Sequence, residues 1–255
     1  MKAPFIVAVA LIFVQAAPTA AATILITGAS RGLGLEFVRQ YAERGDEVIA
    51  TARNPDEAPE LRVLAAQNAR ITIEQLDVAA PTSIAALAAR YRGRAIDVLI
   101  NNAGLLGDVE AQQLGSLDVQ EFQTLMMVNA YGPLAVSDAF RDHVASSRQK
   151  KIIAISSGNG SVSAERVPGG LYFYRSSKAA LNILMRGLYS DLEGQGIVVG
   201  VISPGAVDTD MGRAAGGGDR LSPAVSVERM INVIDGLSRE TNDKFYRYDG
   251  ATRPW

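Results

Sequence analysis

The chain has 255 residues, 48% of them hydrophobic, which is enough for one large domain with a substantial core. Its 25 basic and 27 acidic residues leave a formal charge of -2, mixed along the chain without a basic block or an aromatic-basic stripe, so nucleic acid is not an expected partner. With no cysteine and one histidine, His143, there is no disulfide, no thiolate nucleophile and no His-rich metal site; no metal is expected, and catalysis falls to hydroxyls, amines, amides and carboxylates.

The first 22 residues stand apart. Lys2 precedes the apolar run FIVAVALIFVQAA, and PTAAA follows, with Ala20 and Ala22 at the small-residue spacing of a cleavage site. This reads as a signal peptide, residues 1–22, ahead of a single domain over 23–255. As a stable membrane span it is too short, because about 13 apolar residues reach roughly 20 Å against a hydrocarbon core of about 30 Å. A cleaved leader implies export, to a periplasm for instance; a start further along, at Val14 for example, implies a leaderless cytoplasmic protein.

From Thr23 short aliphatic runs alternate with amphipathic stretches. TILIT, EVIAT, ITIEQL, DVLIN, KIIAIS, IVVGVIS and KFYRYD read as strands, with helical patterns at about 33–44, 57–67, 82–92, 118–145, 174–193 and 224–238. Several strands are almost unbroken Val, Ile and Leu, as strands covered on both faces are. The expected fold is α/β, a doubly wound parallel sheet of the Rossmann type with about seven strands, since seven strands with two long central helices do not make the eight equal units of a barrel. The patch GRAAGGGDRLSP, 212–223, reads as a mobile loop after the sixth strand.

Directly after the first strand, TGASRGLG opens a helix with Gly28, Gly32 and Gly34. Glycine there lets backbone approach a pyrophosphate, which a helix N-terminus holds through free N–H groups. Ser30, Arg31 and Leu33 belong to the same turn. At the end of strand two, where an acidic residue would bind a ribose 2′-hydroxyl, stand Thr51, Ala52 and Arg53. Two guanidinium groups and no carboxylate suit a 2′-phosphate, so NADP is favoured over NAD. Asp77 and Val78 follow strand three and NNAG, Asn101 to Gly104, follows strand four; Asp77, Val78, Asn102, Ala103 and Gly104 lie at carboxyl ends of strands, where doubly wound folds bind ligands.

Further on, YFYRSSK contains two tyrosines and a lysine. If this stretch is helical, Tyr174 and Lys178 share a face one turn apart and Tyr172 does not. A neighbouring ammonium favours a phenolate, so Lys178 is expected to lower the Tyr174 pKa from its free value of about 10. Leu181, Leu184, Met185, Leu188 and Leu192 form a core stripe. Ala179, Ala180, Ile183 and Gly187 make a smaller face on which copies of the chain could pair. His143, far along a polar-capped helix, reads as non-catalytic.

Taken in order, TGASRGLG, NNAG, Asn129 in MMVNAYG, Ser161 thirteen residues before Tyr174, YRSSK and SPGAVDTDM resemble the short-chain dehydrogenase/reductase family over residues 23–255. The ending KFYRYDGATRPW, with YRSSKAALN, is similar to its carbonyl-reductase-like, C-factor-like branch. The resemblance implies Tyr174 as proton donor, Ser161 as the hydroxyl steadying the substrate oxygen, Lys178 as the electrostatic partner of Tyr174 and a ligand of the cofactor ribose, and Asn129 as part of a water-linked relay. It places Thr209 on the nicotinamide carboxamide, beside Pro204, Gly205 and Val207. The function implied is NADP-dependent interconversion of a carbonyl and an alcohol on a small-molecule substrate. The rival is a nucleotide-binding or signalling protein that keeps the fold with little turnover.

Overall fold

The structure, a computed structural model, describes residues 21–163, 169–216 and 218–255, so the expected leader lies outside the described residues up to residue 20. The aliphatic runs form β1 (Thr23–Ile26), β2 (Glu47–Ala52), β3 (Ile71–Gln75), β4 (Val98–Asn101), β5 (Lys151–Ile155), β6 (Val198–Ser203) and β7 (Phe245–Arg247). They make one sheet in the order β3-β2-β1-β4-β5-β6-β7, parallel throughout, to which a two-residue strand β8 (Thr252–Arg253) adds on antiparallel. That eighth strand is too short to show a periodicity in sequence.

Alternate residues of each strand feed opposite faces of the sheet. Ile24 and Ile26 join Phe37, Val38, Leu61, Met230 and Ile234 on the face covered by α1 (Gly32–Glu43), α2 (Pro59–Gln67) and α9 (Pro223–Gly236). Leu25 and Leu99 join Val136, Leu181 and Met185 on the other, covered by α3 (Pro81–Arg90), α5 (Gly132–Ala139) and α7 (Tyr172–Leu192). Each fully buried aliphatic side chain contributes about 1.5–3 kcal/mol, and two such layers lock the strand register. Among the described residues no helix is long and apolar enough to cross a membrane.

The helix expected over 118–145 is not continuous. Asp118 caps α4 (Val119–Met126) by accepting from the amides of Gln120 and Glu121 at 2.7 and 3.1 Å. A π-helical segment, Met127–Tyr131, follows, then α5, and a second break at Phe140 precedes α6 (Arg141–Ala145). Pro133 supplies the reason for the first break: it has no N–H for the carbonyl of Asn129 four residues back, and its ring disfavours regular α geometry there. The described residues of the stretch 212–223 are also more ordered than a bare loop. Thr209 caps α8 (Asp210–Ala214), and Leu221 pairs with Val207 in an isolated bridge.

From β1 the chain winds outward through β2 to β3, then returns to place β4 on the other side of β1. This is a topological switch point, and the crevice beyond the carboxyl ends of β1 and β4 is where such sheets receive ligands.

Candidate active site

The turn after β1 is built for close approach. Gly28 has φ +66°, a left-handed conformation that side chains disfavour, and a Cβ on it would sit 2.7 Å from Cα of Ala103 in the loop after β4. At Gly34 a Cβ would collide with the carbonyl of Gly28. Asn102 clamps the two loops together, its Nδ2 donating to the carbonyls of Thr27 and Gly28 at 3.0 Å each. Thr27, buried and not singled out in the sequence, accepts from the amides of Asn102 and Ala103 on its hydroxyl, both at 3.0 Å. Thus Asn102 is spent on holding the turn, and the contact surface left for a ligand is largely backbone.

No side chain caps α1, whose N-cap is Arg31, so its first N–H groups are left to an outside acceptor. Ser30 is half-buried beside them, and Leu33 turns its side chain to the core. Arg31 and Arg53 are both exposed, with neither guanidinium paired to a carboxylate among the described residues. Asp77 is used locally, its carboxylate accepting from the amide of Ala79 at 2.9 Å, and Val78 is buried against Gly132. Pro204 accepts from Ser226 Oγ at 2.8 Å, Gly205 lies under Tyr248, and Val207 is buried. Thr209 accepts from the amide of Gly212 at 3.1 Å, while its methyl faces Gly32; it ties the loop after β6 to the glycine turn. A free helix N-terminus, a glycine cradle and two unpaired cations fit a dinucleotide carrying a 2′-phosphate.

Along the crevice, Gly104 marks where three elements meet. A Cβ there would lie 3.2 Å from Asn129 Oδ1 and 3.5 Å from Lys178 Nζ. Asn129, fully buried in the π-helical segment, accepts from the amide of Leu105 and donates to its carbonyl, each at 2.8 Å, and also donates to Ser177 Oγ at 3.0 Å. Lys178 is buried and donates to the carbonyl of Ile155 at 3.0 Å. Burial lowers its pKa to about 8.

Helix α7 starts at Tyr172, with Leu171 in the left-handed region and no side chain of its own as cap. Gln112, fully buried and 62 residues away, takes that role by accepting from the amide of Tyr174 at 2.8 Å. It holds the first turn of α7 and with it Tyr174, and was not foreseen from the sequence because the cap is supplied across the fold. Tyr172 is 40% exposed at the helix start, whereas Tyr174 is buried. Two expectations need correction here. The Tyr174 pKa is raised by burial, with a smaller opposing hydrogen bond from Ser157, and the Lys178 ammonium donates to the Ile155 carbonyl at 3.0 Å. And the hydroxyl that meets Tyr174 is that of Ser157, whereas Ser161 donates to the carbonyl of Pro254 at 2.8 Å. Ser157 follows β5 directly, as the second serine of ISSGNG; its place at the carboxyl end of a strand is the signal that could have found it.

His143 on α6 lies against Phe140, with ring centroids 5.0 Å apart and the rings tilted by 48°. Leu181, Met185, Leu188 and Leu192 are buried, and Ile183 and Gly187 are left exposed on α7. No group of three metal-ligating side chains occurs among the described residues.

Comparison with known proteins places this arrangement. Residues 22–218 match the family described as short chain dehydrogenase. The chain is 35% identical over 254 residues to the short chain dehydrogenase gsfK of Penicillium aethiopicum, covering 92% of this chain and 99% of that protein. It is 40% identical over 161 residues to C-signal of Myxococcus xanthus, covering 63% of this chain and 93% of that protein. Among solved structures it superimposes on the NADPH-bound carbonyl reductase from chicken fatty liver with a TM-score of 0.84 at 32% identity, covering 92% of this chain and 99% of that one.

Proposed function

We propose, for a chain that belongs to the short-chain dehydrogenase/reductase family of NAD(P)-dependent oxidoreductases, that it uses NADPH to reduce an aldehyde, ketone or quinone carbonyl to the alcohol, with Tyr174 as proton donor. The observation that carries the reading is the buried Tyr174 with the Ser157 hydroxyl upon it, one helical turn from the buried Lys178, whose ammonium faces Gly104 in the loop after β4. The likeness to a carbonyl reductase holding NADPH supports the cofactor, as do the unpaired Arg31 and Arg53.

When bound, the nicotinamide supplies the hydride. The chain's own residues do the rest. The first turn of α1 and the backbone around Gly28 and Gly34 bind phosphate oxygens, and Arg31 and Arg53 take the 2′-phosphate. Ser157 Oγ orients the substrate oxygen toward Tyr174. Burial raises the Tyr174 pKa from its ordinary value and so favours the protonated phenol, the form a proton donor to a developing alkoxide requires. Lys178, with a pKa near 8, carries a proton at Nζ that it can release close to neutrality, which suits resupply of the phenolate. Asn129 holds Leu105, and so the wall of the crevice, in place.

Purified protein assayed for NADPH oxidation with a panel of aldehydes, ketones and quinones tests this. Tyr174→Phe should keep NADPH binding and lose about 100-fold to 10,000-fold in turnover, the usual worth of a general acid, while exposed Tyr172→Phe costs far less. A dead Tyr172→Phe, or a Tyr174→Phe that keeps most of its rate, overturns the assignment. NADPH binding without turnover on any carbonyl would favour the second reading, a signalling or nucleotide-binding role, which the 40% identity to C-signal motivates.

A further inference from the structure

The last residues of the chain lie against the loop that leaves β5. Ser161 Oγ donates to the Pro254 carbonyl at 2.8 Å, and the amides of Val162 and Ser163 donate to the carbonyl oxygen of Trp255 at 3.1 and 2.9 Å. Nearer to β5, the amide of Gly158 donates to Ser203 Oγ at 3.1 Å, and any side chain at 158 would run into the guanidinium of Arg253. Under the loop, a Cβ on Gly160 would come within 2.7 Å of the Lys178 main chain. The loop is therefore gripped between α7 below and the end of the chain above, and it begins with Ser157, the residue that meets Tyr174.

Trp255 has a seat of its own. Its ring stacks on Phe245 of β7 with centroids 5.7 Å apart, and the Arg186 guanidinium lies 5.0 Å from its centroid. Arg186 is in turn held by Asp243 through hydrogen bonds of 2.9 and 3.2 Å. By contrast, β8 pairs with β7 at only two positions. A two-residue edge strand belongs to the part of a fold that opens locally at low cost, so the aromatic seat decides whether residues 253–255 stay down.

We propose that Arg253, Pro254 and Trp255 act as a clasp on the loop from Ser157 to Ser163, and that Arg253 and Trp255 are positioning residues that keep the Ser157 hydroxyl at Tyr174. Its consequence for turnover rests on the carbonyl-reduction reading above; the clasp itself does not. Small displacements of a reacting group are costly in rate, which is why an attachment remote from the chemistry governs it.

The test compares wild type, Trp255→Ala and Trp255→Phe as full-length chains saturated with NADPH. In Trp255→Ala the amides of Val162 and Ser163, read by NMR hydrogen exchange, should exchange at least about tenfold faster while those of β1 and β4 are unchanged, as local opening requires. Turnover should fall by about tenfold to a hundredfold with NADPH affinity retained, and Trp255→Phe, which keeps a ring to stack on Phe245, should recover most of both losses. Unchanged protection of Val162 and Ser163 overturns the clasp. Faster exchange with unchanged turnover overturns its positioning role, as does a loss of turnover that merely tracks lost NADPH binding or lost folded protein. If wild type binds NADPH but reduces no carbonyl, the reduction reading has failed, and the exchange rates alone decide whether the clasp exists.

Discussion

Ser157→Ala and Ser161→Ala, made as a pair, separate two hydroxyls that compete for one role. Ser157→Ala removes the hydroxyl that hydrogen-bonds Tyr174 and leaves Ser161 on the Pro254 carbonyl. Loss of a donor aimed at an oxygen where charge develops costs about 100-fold to 1,000-fold in kcat, roughly 2.7–4 kcal/mol. Ser157 also caps the short turn that follows it by accepting from the amide of Asn159 at 3.2 Å. Some stability, about 0.5–2 kcal/mol, is therefore lost as well, and the melting temperature should report it. In Ser161→Ala the hydroxyl's hydrogen bond to the Pro254 carbonyl at 2.8 Å goes together with a longer one to the Trp255 oxygen at 3.4 Å, a loss of about 0.5–1.5 kcal/mol of stability for a typical hydrogen bond. The two amides held by Trp255 remain, so kcat should change by no more than a few-fold. Initial rates of NADPH oxidation with the best carbonyl of the panel, alongside NADPH affinity from fluorescence, decide between them. A dead Ser161→Ala beside a Ser157→Ala that keeps most of its rate, both binding NADPH, would refute the geometric reading in favour of the thirteen-residue spacing.

Arg53→Ala should weaken NADPH by roughly 1.5–3 kcal/mol, about tenfold or more, and leave NADH nearly untouched; equal losses for both cofactors would show that Arg53 does not read the phosphate. Lys178 sets a pH dependence. Since kcat/KM reports the free enzyme, reduction should decline as pH rises through about 8 and the buried ammonium is neutralised, and a rate flat to pH 10 would show that this charge is not needed. The same group works in the opposite sense on folding: its folded pKa is depressed from 10.5, the unfolded chain binds more protons between about 8 and 10.5, and its unfavourable contribution is relieved as pH rises through that window. A chain beginning at Thr23, as removal of residues 1–22 leaves it, should fold like the full chain, because β1 begins at Thr23 and all that goes at residue 22 is its amide's bond to Asp46 at 3.0 Å and its carbonyl's bond from Glu47; N-terminal mass spectrometry of protein from fractionated cells tells whether such a chain is made.

Whatever depends on neighbours along the chain was legible in the residues alone. Strand and helix periods, the glycine turn opening α1, and the one-turn spacing of Tyr174 and Lys178 all reside in a few consecutive residues, and local backbone geometry dictates their outcome. The doubly wound fold followed, since strands apolar on both faces have few other solutions. Tertiary structure decided which hydroxyl meets Tyr174. Ser157 and Ser161 stand in one loop with similar claims, and what separates them is the Pro254 carbonyl 93 residues beyond Ser161, which no local pattern announces. It likewise decided that Gln112 caps α7 from 62 residues away and that burial, more than the neighbouring lysine, governs the Tyr174 proton. Desolvation and long-range hydrogen bonds exist only once the chain has packed, so the identity of the site's helpers and the direction of its pKa shifts belong to the fold and not to the string of residues.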